Sequence, residues 1–295
     1  MTAADPRLVE LRAGRSRLTL APAIGGGVAR FVWDGEDLLR PATPATLDSG
    51  DPLGLGNFPL APFAGRIAGA RFAFDGRSVS LPANLAGETD AIHGQGWRSP
   101  WRVVGCDLRT ARLRLDHLAG DWPWAYRAEQ TFSLSDVGLS HTLSVTNLDT
   151  RPMPAGLGLH PYFPRDHDTR LLANAPGVYM TADADAVSPP PSWDWGAGPA
   201  LTEAVDNQFT GWSGPARITW PSRGLALTLL CRPASPFLVV YVPPGEAHFC
   251  VEPVSHRLNA VNLSSGGGGH GMTILAPGES VSLTVEFLPE RLAAR

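Results

Sequence analysis

Lysine is absent from this 295-residue chain, so all 24 of its basic residues are arginines. Schiff-base chemistry on a lysine amine is therefore excluded, and any cation the chain brings to a ligand is a fixed, planar guanidinium. Cysteine is scarce. Cys106, Cys231 and Cys250 are odd in number and without paired spacing, which argues against a disulfide framework or a cysteine metal site. They lie in apolar, strand-like runs and read as small buried thiols of a protein kept in a reducing compartment. Long hydrophobic runs are missing too. The two most apolar, 225–231 and 237–242, are short and separated by Arg232, Pro233 and Pro236, so no membrane span is expected. Residues 1–17 hold Asp5, Glu10 and four arginines without the apolar stretch of a secretory signal, and a cytoplasmic location is expected. No basic block accompanies the net charge of −4, which excludes the electrostatic footprint of a nucleic-acid partner. Neither a glycine-rich phosphate loop followed by lysine nor a His-Glu-x-x-His pattern occurs, and no cofactor or metal is expected. Adjacent Asp166-His167-Asp168 reads as a solvated loop, because three neighbouring ligands seldom converge on one centre.

What the chain does have is turns and strands. Glycine (32) and proline (28) make up about a fifth of it. Apolar spacing favours a period of two. Strands are expected at 16–22, 27–33, 101–104, 113–116, 127–133, 139–147, 218–220, 225–230, 237–242 and 281–287, and residues 71–81 read as a hairpin turning at Asp75-Gly76. No window of twelve residues carries a convincing amphipathic helix. Short strands without helical crossovers predict antiparallel sheets packed face to face, an all-β fold with little helix, as one domain over 1–295. Long loops are expected at 176–199 and 266–269.

Four stretches set ionisable groups beside tight turns or strand ends, where a rigid sheet presents side chains to ligands. In Pro62-Phe63-Ala64-Gly65-Arg66-Ile67, Arg66 could hold sugar hydroxyls or a carboxylate, or serve only a surface ion pair. In Ala91-Ile92-His93-Gly94-Gln95-Gly96-Trp97, an indole face could cover the apolar side of a pyranose while His93 and Gln95 reach its hydroxyls; the bland reading is a buried histidine fixing a glycine-rich turn. In Gly156-Leu157-Gly158-Leu159-His160-Pro161-Tyr162-Phe163, the apolar run ends in His160 where proline interrupts the strand, a good place for a general acid or for a satisfied core histidine. In Phe249-Cys250-Val251-Glu252-Pro253-Val254-Ser255-His256, Glu252 is either structurally paired or a working base. Asp206 could accept hydrogen bonds from a polyol or cap a turn.

Taken in order, Pro-Phe-Ala-Gly-Arg-Ile, Ile-His-Gly, Leu-His-Pro-Tyr-Phe and Cys-Val-Glu-Pro resemble the motifs of the aldose 1-epimerase, or galactose mutarotase-like, family, and the likeness runs from about Gly25 to Phe287. The resemblance implies a β-supersandwich and cofactor-free interconversion of the α and β anomers of a free aldose, a monosaccharide being the small-molecule partner. It implies Glu252 as the base at the anomeric O1 hydroxyl and His160 as the acid at ring O5. It implies His93 as a hydrogen-bonding group near both oxygens, with Arg66 and Asp206 on the hydroxyls. One departure is Gly65, where many members have Asn. The related hexose-phosphate epimerases tend to carry Phe-Pro-Trp-Phe-Gly, but here Phe58-Pro59-Leu60-Ala61-Pro62 stands instead, so a phosphorylated sugar is the lesser alternative.

Ring opening moves one proton off O1 and another onto O5, so one base and one acid suffice. With ordinary values, Glu is ionised at pH 7 and roughly a quarter of His is protonated, a fraction that a nearby carboxylate would raise. A glycoside hydrolase would need two carboxylates flanking the bond, and only Asp206 could pair with Glu252. A non-catalytic sugar-binding module remains the rival from another class, with Trp97, Trp193 and Trp195 as stacking platforms.

Overall fold

The computed structural model describes residues 7–263 and 270–293; the loop expected at 266–269 lies outside them. Every ladder between its named strands is antiparallel, and only two short α-helices occur among the described residues, Pro44–Ser49 and Ala260–Leu263. The largest sheet has eight strands in the order Arg102–Cys106, Thr110–His117, Tyr126–Ser135, Gly138–Asn147, Ser280–Arg291, Leu225–Arg232, Ala216–Trp220 and Arg170–Ala173. Its long central strands alternate buried and accessible residues, because one face meets the core and the other meets solvent.

Opposite lies a seven-stranded sheet in which Gly177–Tyr179, Val205–Thr210, Phe237–Val242, His248–Val254, Gly158–Leu159 and Pro59–Leu60 follow one another, with Tyr162–Pro164 also paired to His248–Val254. Its inner face carries Phe163, Phe209, Leu238, Val240, Phe249 and Val251, which share one apolar core with Tyr126, Phe132, Leu143, Leu227, Val285 and Phe287 of the large sheet. The two sheets are thus the halves of a sandwich. The outer face of the smaller sheet is covered as well. Tyr162, Phe237, Val239, Cys250, Val254 and Leu60 pack there with Phe58, Ala64 and Trp97 from the overlying segments. Val9–Ala13, Ser16–Ala21, Gly27–Trp33 and Glu36–Asp37 form a further four-stranded sheet.

The expected hairpin is present as Arg71–Phe74 and Arg77–Ser80, with Asp75 and Gly76 both at positive φ, the geometry of a two-residue type I′ turn. Three expectations need correction. Only Cys250 is a buried thiol. Cys106 is exposed and Cys231 partly buried, because each ends up near a strand terminus rather than inside a covered sheet; all three are free. Residues 176–199 are not simply a loop, since Gly177–Tyr179 joins the seven-stranded sheet and two single 3₁₀ turns bring Trp195 into the core against Phe209. Asp206 lies within a strand, not at a turn. No helix among the described residues is long and apolar enough to cross a membrane.

Replacing Phe249, fully buried between the sheets, by alanine should cost about 3–5 kcal/mol in urea unfolding. A loss below about 1 kcal/mol would mean that the two sheets do not share this core.

Candidate active site

Strand register assembles the site. Gly158 pairs with Val254 and Tyr162 with Cys250, so carrying that register across the two intervening positions sets His160 opposite Glu252. Opposed residues of an antiparallel pair project on the same face. The row continues from Glu252 to Val239 and Gln208, while the neighbouring row runs Tyr162, Cys250, Tyr241, Asp206. These residues point away from the core, and His160, Glu252, Val239, Tyr241 and Asp206 among them line a cleft of about 820 Å³ including its open mouth, within the range of small-ligand sites. Arg66, His93, His160, Asp206, Tyr241 and Glu252 supply its polar groups, and Leu53, Leu85, Val239 and Leu258 its apolar ones. Of the residues singled out in the sequence, Arg66, His93, Trp97, His160, Asp206 and Glu252 border this one cleft, and Gln95 does not.

His160 Nε2 and Glu252 Oε1 are 3.3 Å apart, and the residues are 8% and 3% exposed. The imidazole is held between rings: Tyr162 stacks on it at 4.7 Å and 15°, and Phe58 lies 4.7 Å away. Arg40 in turn lies over Tyr162, 3.9 Å from the ring centre, and donates to the carbonyls of Leu53 and Leu55. Burial raises Glu252 well above the usual carboxylate range, and the negative Asp206 adds to this. Burial, with His93 and Arg40 beside it, lowers His160 well below the usual imidazole range. This corrects the expectation that the carboxylate would raise the protonated fraction of His160: in a dry site the cost of charge on both partners outweighs their attraction. Both shifts favour the uncharged partners, acid and imidazole, over isolated charges. Shifting one proton across 3.3 Å converts this pair to carboxylate and imidazolium without changing the number of protons it holds.

His93 is fixed by backbone. Its φ is +59°, in the left-handed region that non-glycine residues seldom adopt. Its Nδ1 accepts the N–H of Gly65 at 3.0 Å, while its own N–H donates to the Gly65 carbonyl at 2.8 Å. With Nδ1 accepting, the neutral ring carries its hydrogen on Nε2. Burial and Arg66 push its pKa down to about 3, so His93 is a neutral donor through the physiological range. The next residue must be glycine, because a Cβ on Gly94 would stand 2.2 Å from the Ala61 carbonyl oxygen. Asn84 closes the turn from the other side through Ile92 and Gly94.

A second histidine does a purely structural job. His256 Nε2 accepts from Ala64 N–H at 3.0 Å and its Nδ1 donates to the Arg257 carbonyl at 2.7 Å, tying the 62–66 loop to the 256–259 segment. Buried Gln208 holds that segment over the sheet, accepting from Leu258 N–H and donating to the His256 carbonyl. Leu258 fills the space beside Gly65: a Cβ at position 65 would lie 1.9 Å from its Cδ2. The sequence reading assigned no role to His256 or Gln208, although both lie in the stretches around Glu252 and Asp206, and did not point to Leu258, whose only signal is the missing side chain at Gly65.

Arg66 borders the cleft and is ion-paired to Glu88 at 2.6 Å, the ion pair of its bland reading. Asp206 is exposed at the mouth; the surrounding walls raise its carboxyl while Arg66 pulls it down. Trp97 is 1% exposed, stacked on Phe58 at 5.4 Å with Nε1 donating to Ile92, and backs the cleft rather than offering it an open ring face. Trp193 and Trp195 pack around Phe209, away from the site. Asp166 pairs with Arg223 and Asp168 with Ser222. Two other clefts, one along the 71–80 hairpin and one beside Asp168 and Arg217, bring no buried acid and base together among the described residues.

A sequence model of the family described as aldose 1-epimerase matches residues 7–288. The chain belongs to that family. It is 35% identical to the uncharacterised YphB of Escherichia coli K12 over 281 residues, covering 89% of this chain and 94% of that one. A crystal structure of an E. coli K12 protein, provisionally described as an aldose 1-epimerase, superposes with a TM-score of 0.88 at 32% identity, covering 97% and 99% of the two chains. A galactose mutarotase-like protein from Clostridium acetobutylicum, 21% identical, shares the fold with a TM-score of 0.86 over 97% and 95%. The double-faced sheet of this aldose 1-epimerase-family chain is thus part of a galactose mutarotase-like sandwich.

Because His93 satisfies the otherwise enclosed Gly65 N–H, His93→Ala should destabilise the fold by about 1–3 kcal/mol in chemical denaturation. Unchanged stability would show that this hydrogen bond is dispensable.

Proposed function

We propose that the protein is an aldose 1-epimerase that interconverts the anomers of a free monosaccharide. The observation that carries this reading is the buried Glu252–His160 pair, an acid and a base 3.3 Å apart, facing a cleft that also presents a fixed neutral donor, His93. A pyranose enters with its anomeric centre toward the pair. Its hydroxyls solvate the charged form, so the proton passes to His160 and Glu252 becomes carboxylate. Glu252 then takes the O1 proton while His160 delivers its own to O5, and the ring opens. Rotation about C1–C2 presents the other carbonyl face, and both transfers run backwards. His93 Nε2–H donates to O1 or O5, whichever carries the greater negative charge, and so supports both directions. Arg66 and Asp206 hold the remaining hydroxyls, and Trp97 limits the cleft behind the ring. No net proton is consumed, which suits a pair that keeps one.

Two features speak against the rivals. Arg66 is the only arginine bordering the cleft among the described residues, and Glu88 already neutralises it, so a phosphate finds little to bind. A stacking module would present an open indole, whereas the three tryptophans considered for that role are buried or half-buried in packing.

Freshly dissolved α-glucose or α-galactose should reach anomeric equilibrium faster with the protein, by polarimetry. Glu252→Gln and His160→Asn should each lower kcat/KM by about 10²–10⁴-fold. Wild-type rates in Glu252→Gln would remove Glu252 as the base, and no acceleration of any free aldose, with binding intact, would favour the module.

The pH profile follows from the two shifts. The working state holds one proton, so activity falls on the acid side when the lowered His160 gains a second and on the alkaline side when the raised Glu252 loses the first. kcat/KM should therefore stay flat through pH 6.5, with the acid limb well below it. A limb centred at the ordinary histidine value would contradict the burial argument.

A further inference from the structure

The acid–base reading leaves one buried nucleophile beside the pair unused. Cys250 is fully buried, two residues before Glu252 on the same strand, and so on the same face. Its Sγ, a His160 ring nitrogen and a Glu252 carboxylate oxygen all lie within 4.8 Å of one another.

We propose that Cys250, His160 and Glu252 form a three-ligand site for a thiophilic divalent cation of the zinc class, and that its occupation blocks the cleft. The ligand chemistry is that of open zinc sites, with sulfur, imidazole and carboxylate from the protein and a fourth position turned to solvent. Zinc bonds of about 2.0–2.3 Å at a tetrahedral centre need ligand atoms about 3.3–3.6 Å apart. Nε2 and Oε1 already stand at 3.3 Å, and the sulfur needs at most a shift of roughly 1.5 Å, within one side-chain adjustment. Binding releases the thiol proton and the Glu252 proton to solvent, and the Nε2 lone pair completes the set; the bound ion is then neutralised by two anionic ligands. Asp206, one row along at the cleft mouth, adds attraction for a cation.

The surroundings also say what kind of ion this is. His160 Nδ1 has no hydrogen-bond partner among the described residues, whereas a resident metal's histidine almost always has one. The site therefore fits an exchangeable, inhibitory ion that competes with the sugar for the acid and the base, not a built-in cofactor. The inference goes beyond the epimerase reading and does not need it: the site is defined by its donors.

Cobalt(II) chloride serves as the probe, because a cobalt–thiolate bond gives a charge-transfer absorption whether or not the protein has activity. The full chain carrying Cys106→Ala and Cys231→Ala, in which Cys250 is the sole thiol, should show that band with one equivalent of cobalt, and zinc chloride should abolish it. His160→Asn in the same background should weaken cobalt binding more than about tenfold. No thiolate band, or a band indifferent to His160→Asn, overturns the proposal. In anomer exchange, zinc should inhibit the wild type competitively with sugar and chelation should restore the rate. Cys250→Ala should keep the rate while losing the sensitivity; equal inhibition of Cys250→Ala would also overturn it. A chain that binds cobalt through Cys250 yet never accelerates anomer exchange would reject the epimerase reading and leave the cation site standing.

Discussion

The hydrogen-bonded register between the strand His248–Val254 and the broken strand 158–164 is the constraint on which everything else rests. Pro161 interrupts that ladder but does not shift it, so the residues on either side keep their partners and His160 falls opposite Glu252. A slip of one residue would turn Glu252 into the apolar core and bring Val251 to the cleft. The inner-face residues Phe249 and Val251 prevent this, since their burial against the large sheet fixes which side of the strand looks outward. Packing between the sheets therefore sets the chemistry on the far face.

Covering that far face gives the pair its character. Phe58, Tyr162 and Trp97 exclude water from His160 and Glu252, and a carboxyl that would be ionised in solution and an imidazole that would be partly protonated are both pushed toward their neutral forms. The same enclosure that permits proton exchange over a short path makes isolated charge costly, so the charged arrangement is worth forming only when polar oxygens of a ligand arrive. His93 follows the opposite strategy. A hydrogen bond from the backbone fixes its tautomer and burial suppresses its protonation, leaving a donor whose state does not vary.

The large sheet was legible because its faces differ: in Tyr126–Ser135 and Gly138–Asn147 every second residue meets solvent, and the sequence alternates accordingly. The smaller sheet was legible in Phe237–Val242, expected with the same bounds, but not in most of its other strands. His248–Val254 is covered on both sides and reads as an unbroken apolar run around one carboxylate, while Gly158–Leu159 and Pro59–Leu60 are too short to carry a period. The site residues were nonetheless visible, since Arg66, His93, His160 and Glu252 each interrupt a glycine-, proline- or apolar-rich stretch where an ionisable group is out of place. Their partners were not visible: nothing in the letters joins Arg66 to Glu88, or Leu258 to Gln208. Nor could ordinary titration values anticipate His160, whose protonation is set by rings brought from Phe58 and Tyr162.

The pairing of Gly65 with Leu258 has an evolutionary consequence. Because Gln208 and His256 grip the backbone around position 258 and not its side chain, the frame survives a change of residue there, while the volume it fills is shared with position 65. Bulk added at one site must be surrendered at the other. The exchange is uneven, because position 65 sits at φ +71°: only a residue that tolerates the left-handed region can be added there, and only where 258 gives way.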